Sequence, residues 1–144
     1  HNDSRVSERA LREIYLKGFE ICVKEARPGN IMTSYNKING VWGHYNYDLV
    51  TTILRGEWGY DGNVMTDWWM QKDESHEFPG IVDQGYRVRA GVDVLMPGGA
   101  RVGKKKPDGT FAKSVKAGLT LGEAQRCAMH VLKMAMNNKL GGEE

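Results

Sequence analysis

A short apolar run ends in one carboxylate and two tryptophans, in the segment Gly62-Asn-Val-Met-Thr-Asp-Trp-Trp69. Asp67 could act as a nucleophile or base in the cleavage of a glycosidic bond, and the flat indole faces behind it could hold the C–H face of a pyranose. An aspartate that closes a strand is also a common turn former or helix cap. The residue types alone therefore leave a chemical and a structural role open.

The hydropathy pattern predicts three repeats of a helix followed by a short apolar strand. Helices are expected at residues 7–26, 47–57 and 80–90, and strands at 30–35, 63–66 and 92–96. Loops are expected at 36–40 and 71–79, and two further helices at 110–117 and 121–136. Short apolar strands separated by helices are typical of parallel strands joined by right-handed crossovers. The predicted fold class is therefore α/β.

All three predicted strands end in residues that suit a binding site. These endings are Ser34-Tyr35-Asn36, Asp67-Trp68-Trp69 and Pro97-Gly98-Gly99. In parallel α/β sheets, ligands bind at this carboxyl edge. Because a complete (β/α)₈ domain takes roughly 250 residues, three strands predict either a small open sheet or part of a barrel.

Composition and charge exclude several classes of function. The 144 residues are 40% hydrophobic and 26% charged, which is typical of a soluble globular domain. A net charge of +2 does not favour nucleic acid, and the basic run at 104–106 is expected to be a solvated loop. No apolar stretch approaches the roughly 20 residues that span a bilayer, so no membrane partner is expected.

The terminus and the two cysteines give further expectations. The chain begins at His1 with neither an initiating Met nor a signal-peptide pattern, so we expect that His1 is not the first residue of the native gene product. Cys22 and Cys127 lie within apolar helical patterns, which favours buried free thiols over a disulfide, a metal site or a nucleophile.

Several motifs occur in the order and spacing of glycoside hydrolase family 3. They are Ile31-Met-Thr-Ser-Tyr-Asn36 with Asn39-Gly40, Leu54-Arg-Gly-Glu-Trp-Gly59, Gly62-Asn-Val-Met-Thr-Asp-Trp68 and Ala90-Gly-Val-Asp-Val-Leu-Met-Pro-Gly98. The chain resembles the β-glucosidases of that family over nearly its whole length. The resemblance implies the carboxyl-terminal part of a (β/α)₈ TIM-type barrel. Three βα units would lie in residues 1–99, and a basic loop with C-terminal helices in 100–144.

The resemblance also implies the roles of four residues. Asp67 would be the nucleophile of a retaining hydrolase that forms a covalent glycosyl ester with a terminal β-D-glucosyl residue. Trp68 would wall the site of the cleaved sugar. Met32 and Tyr35 would pack on that sugar, and a Tyr35 hydroxyl donating to Asp67 would keep the carboxylate ionised. Met32 could equally fill the core. No cofactor and no metal are implied.

Parts of the family's machinery have no match in this sequence. The upstream groups that bind the sugar hydroxyls would lie on strands before His1, and no credible general acid/base follows residue 99. We do not assign that role to Glu143 or Glu144, which are expected to form a terminal tail. The chain is therefore expected to be inactive alone, and the unpaired edge of a partial barrel predicts a homo-oligomer. For the parent enzyme, a secreted or periplasmic location is slightly favoured over a cytoplasmic one.

Two rival functions are open. In the first, the chain binds carbohydrate without catalysis through the aromatic surface of its four tryptophans, Trp42, Trp58, Trp68 and Trp69. In the second, three histidines and Asp67 bind a metal, but the spacing of His44, His76 and His130 matches no ligand pattern. Each histidine is more simply a loop or helix-surface residue.

Five other charged residues are expected to have structural roles. Arg12 and Glu13 should form ion pairs or caps, and Arg55 and Glu57 should fix the loop that leads to Asp67. Asp93 lies inside an apolar strand, where a charge is costly unless it is paired, so we expect it to be a satisfied structural acid.

Overall fold

The computed structural model describes residues 2–70, 83–97, 110–116 and 118–137. Five α- or π-helical elements and one short 3₁₀ helix, Gly43–Tyr45, lie in these ranges. The first, α1, is a succession of α- and π-helical segments, and α2 is π-helical. The bounds are Glu8–Ala10, Leu11–Tyr15, Lys17–Ile21 and Cys22–Ala26 for α1, Asp48–Glu57 for α2, Asp83–Ala90 for α3, Thr110–Lys116 for α4 and Leu121–Asn137 for α5.

Capping groups define the two ends of α1. The Ser7 side chain accepts a hydrogen bond from the N–H of Ala10 at 3.2 Å, so Ser7 is the N-cap. At the other end Arg27 has a left-handed backbone with φ of 48°, and Pro28 follows it. Since a proline cannot continue a helix, the predicted end of this helix is confirmed.

The strands β2, Asn30–Met32, and β5, Asn63–Met65, form the centre of a parallel sheet. Ile31 pairs with Val64, and Met65 forms a parallel bridge to Val94. The three predicted strand segments therefore lie side by side and parallel, in the order in which they occur along the chain. The strand expected at 92–96 is reduced to that bridge. The reason is local: the Val64 N–H donates to the Asp93 side chain at 2.9 Å instead of continuing the backbone ladder.

The prediction of a loop at 36–40 is wrong, because this segment contains most of a β-hairpin. The strands β3, Lys37–Ile38, and β4, Val41–Trp42, pair antiparallel, and β1, Asp3–Ser4, pairs parallel with β3. The turn residues Asn39 and Gly40 have φ of 51° and 90°, as the tight two-residue hairpin turn requires. Each strand has only two residues, so no alternation of hydropathy could reveal them.

Two hydrophobic clusters form the core. One lies between α1, α2 and the parallel sheet, and the other joins the hairpin region to α3 and to the segment before α5. In the second cluster the rings of Tyr45 and Tyr86 stack with centroids 4.4 Å apart. The clusters consist of Val23, Val50, Leu54, Tyr60, Val64 and Val92, and of Trp42, Tyr45, Tyr86, Val88 and Leu119.

Much of the apolar surface of α1 and α5 is exposed to solvent and not packed in the core. On α1, Leu11 and Val23 are buried, but Ile14, Tyr15 and Phe19 are exposed; we call these three residues the α1 apolar face. The apolar side of α5 is only half covered, and its described residues include none that is buried. Amphipathic periodicity shows which side is apolar, whereas coverage depends on the elements packed against it.

The cysteine prediction is correct in part. Both thiols are free, but Cys22 is exposed on α1, so its predicted burial is wrong. Cys127 is half-buried on α5, where burial raises its pKa to about 11. A thiol with so high a pKa is a poor nucleophile at neutral pH.

The helices after the basic run pack on the rest of the molecule. Both α4 and α5 contact α3, and α5 also contacts β5. The predicted boundary at 99/100, the loop at 71–79, the basic run at 104–106 and the residues Glu143 and Glu144 lie outside the described ranges. The division into 1–99 and 100–144 stays a prediction. No helix in the described segments is long and apolar enough to cross a membrane.

Candidate active site

Asp67 lies two residues beyond β5, at the carboxyl edge of the parallel sheet. Thr66 fixes the segment before it: its N–H donates to the Val94 carbonyl at 2.9 Å, and its hydroxyl accepts the Met96 N–H at 2.8 Å. The half-buried Asp67 accepts the Trp68 N–H on Oδ1 at 2.6 Å. Within residues 2–70, 83–97 and the two C-terminal helices, its Oδ2 has no hydrogen-bond partner. One carboxylate oxygen is thus held and the other is available.

The end of β2 brings Met32 and Tyr35 to the same edge. The Thr33 N–H donates to the Met65 carbonyl at 2.9 Å, which places the two strand ends side by side. The Tyr35 hydroxyl donates to the Trp69 carbonyl at 3.0 Å, so it binds the segment that carries Asp67. Because a phenol has a single proton to donate, the expected donation from Tyr35 to the Asp67 carboxylate is not made in this structure. Met32 is 53% exposed and therefore does not fill the core.

The two tryptophans after Asp67 differ in exposure. Trp68 is half-buried, as a wall residue would be. Trp69 is 72% exposed and has a left-handed backbone with φ of 52°. The family resemblance implies no role for Trp69, although the residue pattern makes the ring faces of both tryptophans a candidate sugar platform.

A buried charge cluster supports the start of the strand that leads to Asp67. The Asp93 side chain is fully buried. Its Oδ2 accepts hydrogen bonds from Nη2 of Arg55 at 2.6 Å and from the Val64 N–H at 2.9 Å. Its Oδ1 lies 2.9 Å from Nδ1 of His130. Burial lowers the pKa of Arg55, and the nearby Asp93 carboxylate opposes that shift. The expectation that Asp93 is a satisfied structural acid is confirmed.

Arg55 also fixes the backbone on both sides of this cluster. Its Nη1 donates to the Gly62 carbonyl at 3.0 Å and its Nη2 to the Gly91 carbonyl at 2.9 Å. The predicted role of Arg55 in holding the loop before β5 is therefore confirmed. Glu57 instead pairs with Arg12, so it joins α2 to α1 and does not hold the loop.

The remaining predicted ion pairs lie on the surface of α1. Arg12 pairs with Glu8 as well as Glu57, and Glu13 pairs with Arg9. The expected structural roles of Arg12 and Glu13 are confirmed. Hydrogen bonds from Arg12 lower the pKa of Glu57, although both side chains are substantially exposed.

The two histidines in the described ranges, His44 and His130, occupy structural positions. His44 is fully buried, with its ring 4.3 Å from that of Tyr45, so the expected surface position is wrong. Its ring also stacks on Trp42, and the segment 43–45 contacts α3. His130 binds Asp93, and His76 lies outside the described ranges. In the part of the chain that the structure describes, no three His, Cys, Asp or Glu side chains are grouped to bind a metal.

An apolar cavity of about 180 Å³ lies between α1, α2 and β2. Its walls include Phe19, Ile31, Met32 and Trp58, and they contain no titratable side chain. General acid–base or nucleophilic chemistry needs such a group. The carboxyl edge with Asp67 is therefore the candidate active site, and the cavity is not.

The parallel strands, their connecting helices and the polar carboxyl edge define part of a (β/α)₈ barrel. Residues 2–133 match the glycosyl hydrolase family 3 N-terminal domain, and the chain belongs to this family. It is 43% identical to a β-glucosidase of Ruminococcus albus over 99% of this chain and 15% of that protein. An exo-α-(1→6)-L-arabinopyranosidase of Bifidobacterium longum is 47% identical over 66% of this chain and 11% of that protein.

Solved structures confirm the predicted fold class. The β-glucosidase of Paenibacillus barengoltzii superposes with a TM-score of 0.81 at 47% identity, over 99% of this chain and 16% of that one. β-Glucosidase 3B of Thermotoga neapolitana, in complex with α-D-glucose, superposes with a TM-score of 0.76 at 37% identity, over 94% and 18%. The chain thus spans less than a fifth of the length of these relatives.

Proposed function

We propose that Asp67 is the nucleophile of a retaining β-glycosidase that hydrolyses terminal β-D-glucosyl residues. The observation that carries the proposal is a single available carboxylate oxygen at the carboxyl edge of the parallel sheet, next to an exposed methionine and tyrosine. The names of the relatives support a glucoside substrate. In this proposal Trp68 walls the cleaved sugar, and Met32 and Tyr35 pack on it.

The hydrogen bond to Oδ1 supports different tasks for the two oxygens of Asp67. The Trp68 N–H holds Oδ1, so Oδ2 attacks the anomeric carbon while the bond to the leaving oxygen breaks. The leaving oxygen takes a proton from a general acid, and the resulting glycosyl ester is then hydrolysed by water, which loses its proton to the same group. Retention follows from two successive inversions.

The second carboxyl group of a retaining pair should lie roughly 5 to 5.5 Å from the nucleophile. Asp93 is unsuited to this role because Arg55, Val64 and His130 already engage it. We propose that the acid/base and the groups that bind the sugar hydroxyls lie outside this chain. The 144-residue chain alone is then inactive. Hydrolysis of an aryl β-glucoside by the purified chain, abolished by Asp67→Asn, would overturn this part of the proposal.

The nucleophile is tested in a chimera in which this chain replaces the matching segment of the Ruminococcus albus β-glucosidase. A 2-fluoro-2-deoxyglucoside with a good leaving group should label the Asp67 peptide, and Asp67→Asn should abolish both label and turnover. The matched control is Asp61→Asn, since Asp61 is an exposed aspartate in the loop before β5. A label on another residue, or full activity of Asp67→Asn, would contradict the assignment.

A non-catalytic carbohydrate-binding role is the second candidate, and the exposed Trp69 favours it. Reversible binding of the fluoro-sugar without a covalent adduct would support this rival. The same chimera should be assayed with p-nitrophenyl β-D-glucopyranoside and α-L-arabinopyranoside, because relatives of both names match the chain. We expect faster cleavage of the glucoside.

A further inference from the structure

Trp69 combines two features that are costly for a tryptophan. Its large apolar ring is 72% exposed, and its backbone φ of 52° lies in the left-handed region. Bulky residues rarely adopt this conformation, because the side chain crowds the backbone. Strained residues of this kind cluster at active sites and ligand-binding positions, where the surrounding structure holds them.

Tyr35 is one of the groups that hold Trp69 in this conformation. The Tyr35 hydroxyl donates to the Trp69 carbonyl at 3.0 Å, which ties the turn after Asp67 to the end of β2. On the other side, Met70 is buried. The backbone of Trp69 is thus fixed on both sides while its ring remains in solvent. An exposed ring on a fixed backbone is a preorganised contact surface.

Exposure increases along the segment from the nucleophile outward. Asp67 and Trp68 are half-buried, whereas Trp69 faces solvent. A terminal sugar that reacts at Asp67 must occupy the deeper position, and its leaving group then extends toward solvent. We propose that Trp69 is the platform for this leaving group, the aglycone, and selects flat or apolar ones such as an aryl ring or the C–H face of a second sugar.

This inference rests on the proposed function, and variants of the chimera separate the two. Trp69→Ala removes the ring but keeps the backbone strain, whereas Trp69→Gly removes both, since glycine readily adopts a positive φ. Both should raise KM for phenyl β-D-glucoside about tenfold, the size of one lost stacking contact. Trp69→Phe should retain most of the affinity, and inhibition by glucose, which lacks an aglycone, should be unchanged.

The trapped fluoroglycosyl enzyme provides a second measurement, the rate at which the covalent intermediate is released. A purely structural role of Trp69 would not change how this rate depends on an added acceptor. Reactivation by water needs no aglycone and should be equal in all Trp69 variants. Reactivation by added phenyl β-D-glucoside, which must bind at the aglycone position as acceptor, should fall about tenfold in Trp69→Ala. Tyr15→Ala, which removes an exposed aromatic ring on α1, is the control and should change neither rate.

Several results would overturn the inference while leaving Asp67 as the nucleophile. One is a KM for phenyl β-D-glucoside within twofold of the parent in both Trp69→Ala and Trp69→Gly. Another is a change in the oligomeric state of those variants, measured by light scattering, without a change in KM. That result would assign Trp69 to self-association. A fully active Asp67→Asn variant would instead refute the proposed function.

Discussion

Replacing Asp93 by asparagine should destabilise the chain far more than replacing an exposed acid. Asparagine has the same shape but no charge, and its side chain would be fully buried opposite the Arg55 guanidinium, which is only 10% exposed. The amide NH₂ would also face one of three donors, on Arg55, Val64 or His130. The change therefore leaves a buried cation without its counterion and an N–H without its acceptor.

The expected loss follows from that geometry. Removal of one partner from a buried ion pair costs about 3 to 5 kcal/mol of unfolding free energy, because the other charge is left uncompensated. Glu57→Gln breaks the exposed pair with Arg12 and should cost much less, because solvent screens a pair of this kind. With a urea m-value of about 2 kcal/mol/M, Asp93→Asn should lower the unfolding midpoint by about 2 M.

The assay is urea unfolding of the 144-residue chain, followed by circular dichroism, for the parent, Asp93→Asn and Glu57→Gln. Hydrogen exchange adds a local readout, since the Val64 amide loses its acceptor and should exchange faster in Asp93→Asn. The double variant Asp93→Asn/Arg55→Gln should lose less than the sum of the single variants, because it removes both charges. A loss in Asp93→Asn no larger than that in Glu57→Gln would refute the reasoning.

Three further predictions address other parts of the fold. Hydrogen bonds from Arg89 hold the pKa of Glu123 at about 2, so the stability from this pair should be present above pH about 4.5 and be lost as the pH falls toward 2. Solvent screening limits it to about 1 kcal/mol, and acid unfolding of Glu123→Gln should lack this component. Gly91→Ala should destabilise by about 2 kcal/mol or more, because Gly91 has φ of 112° and a Cβ there would lie 2.6 Å from Thr51 Oγ1. Gly18→Ala, in an open helical position, should instead stabilise by about 0.5 to 1 kcal/mol. Thermal unfolding of the two variants and the parent measures both effects. The exposed α1 apolar face predicts a homo-oligomer, and a stable monomer in light scattering at micromolar concentration would contradict it.

Local sequence patterns predicted the elements that short-range forces determine. The helix expected at 7–26 and the strand expected before Asp67 both lie within one residue of their expected bounds. The capping box at α5, in which Thr120 and Glu123 exchange hydrogen bonds, was equally local but was not recognised. The Asn39-Gly40 hairpin was a similar missed signal.

Only the tertiary structure showed which distant residues meet. Asp93 joins Arg55 and His130, and Tyr35 joins Trp69, across more than thirty residues in each case. No periodicity encodes such pairs, because they depend on how strands and helices pack. The sequence by itself placed one carboxylate at a strand end among aromatic residues. Packing decided which of its oxygens is held, which charges are buried beside the strand that leads to it, and that Trp69 is exposed.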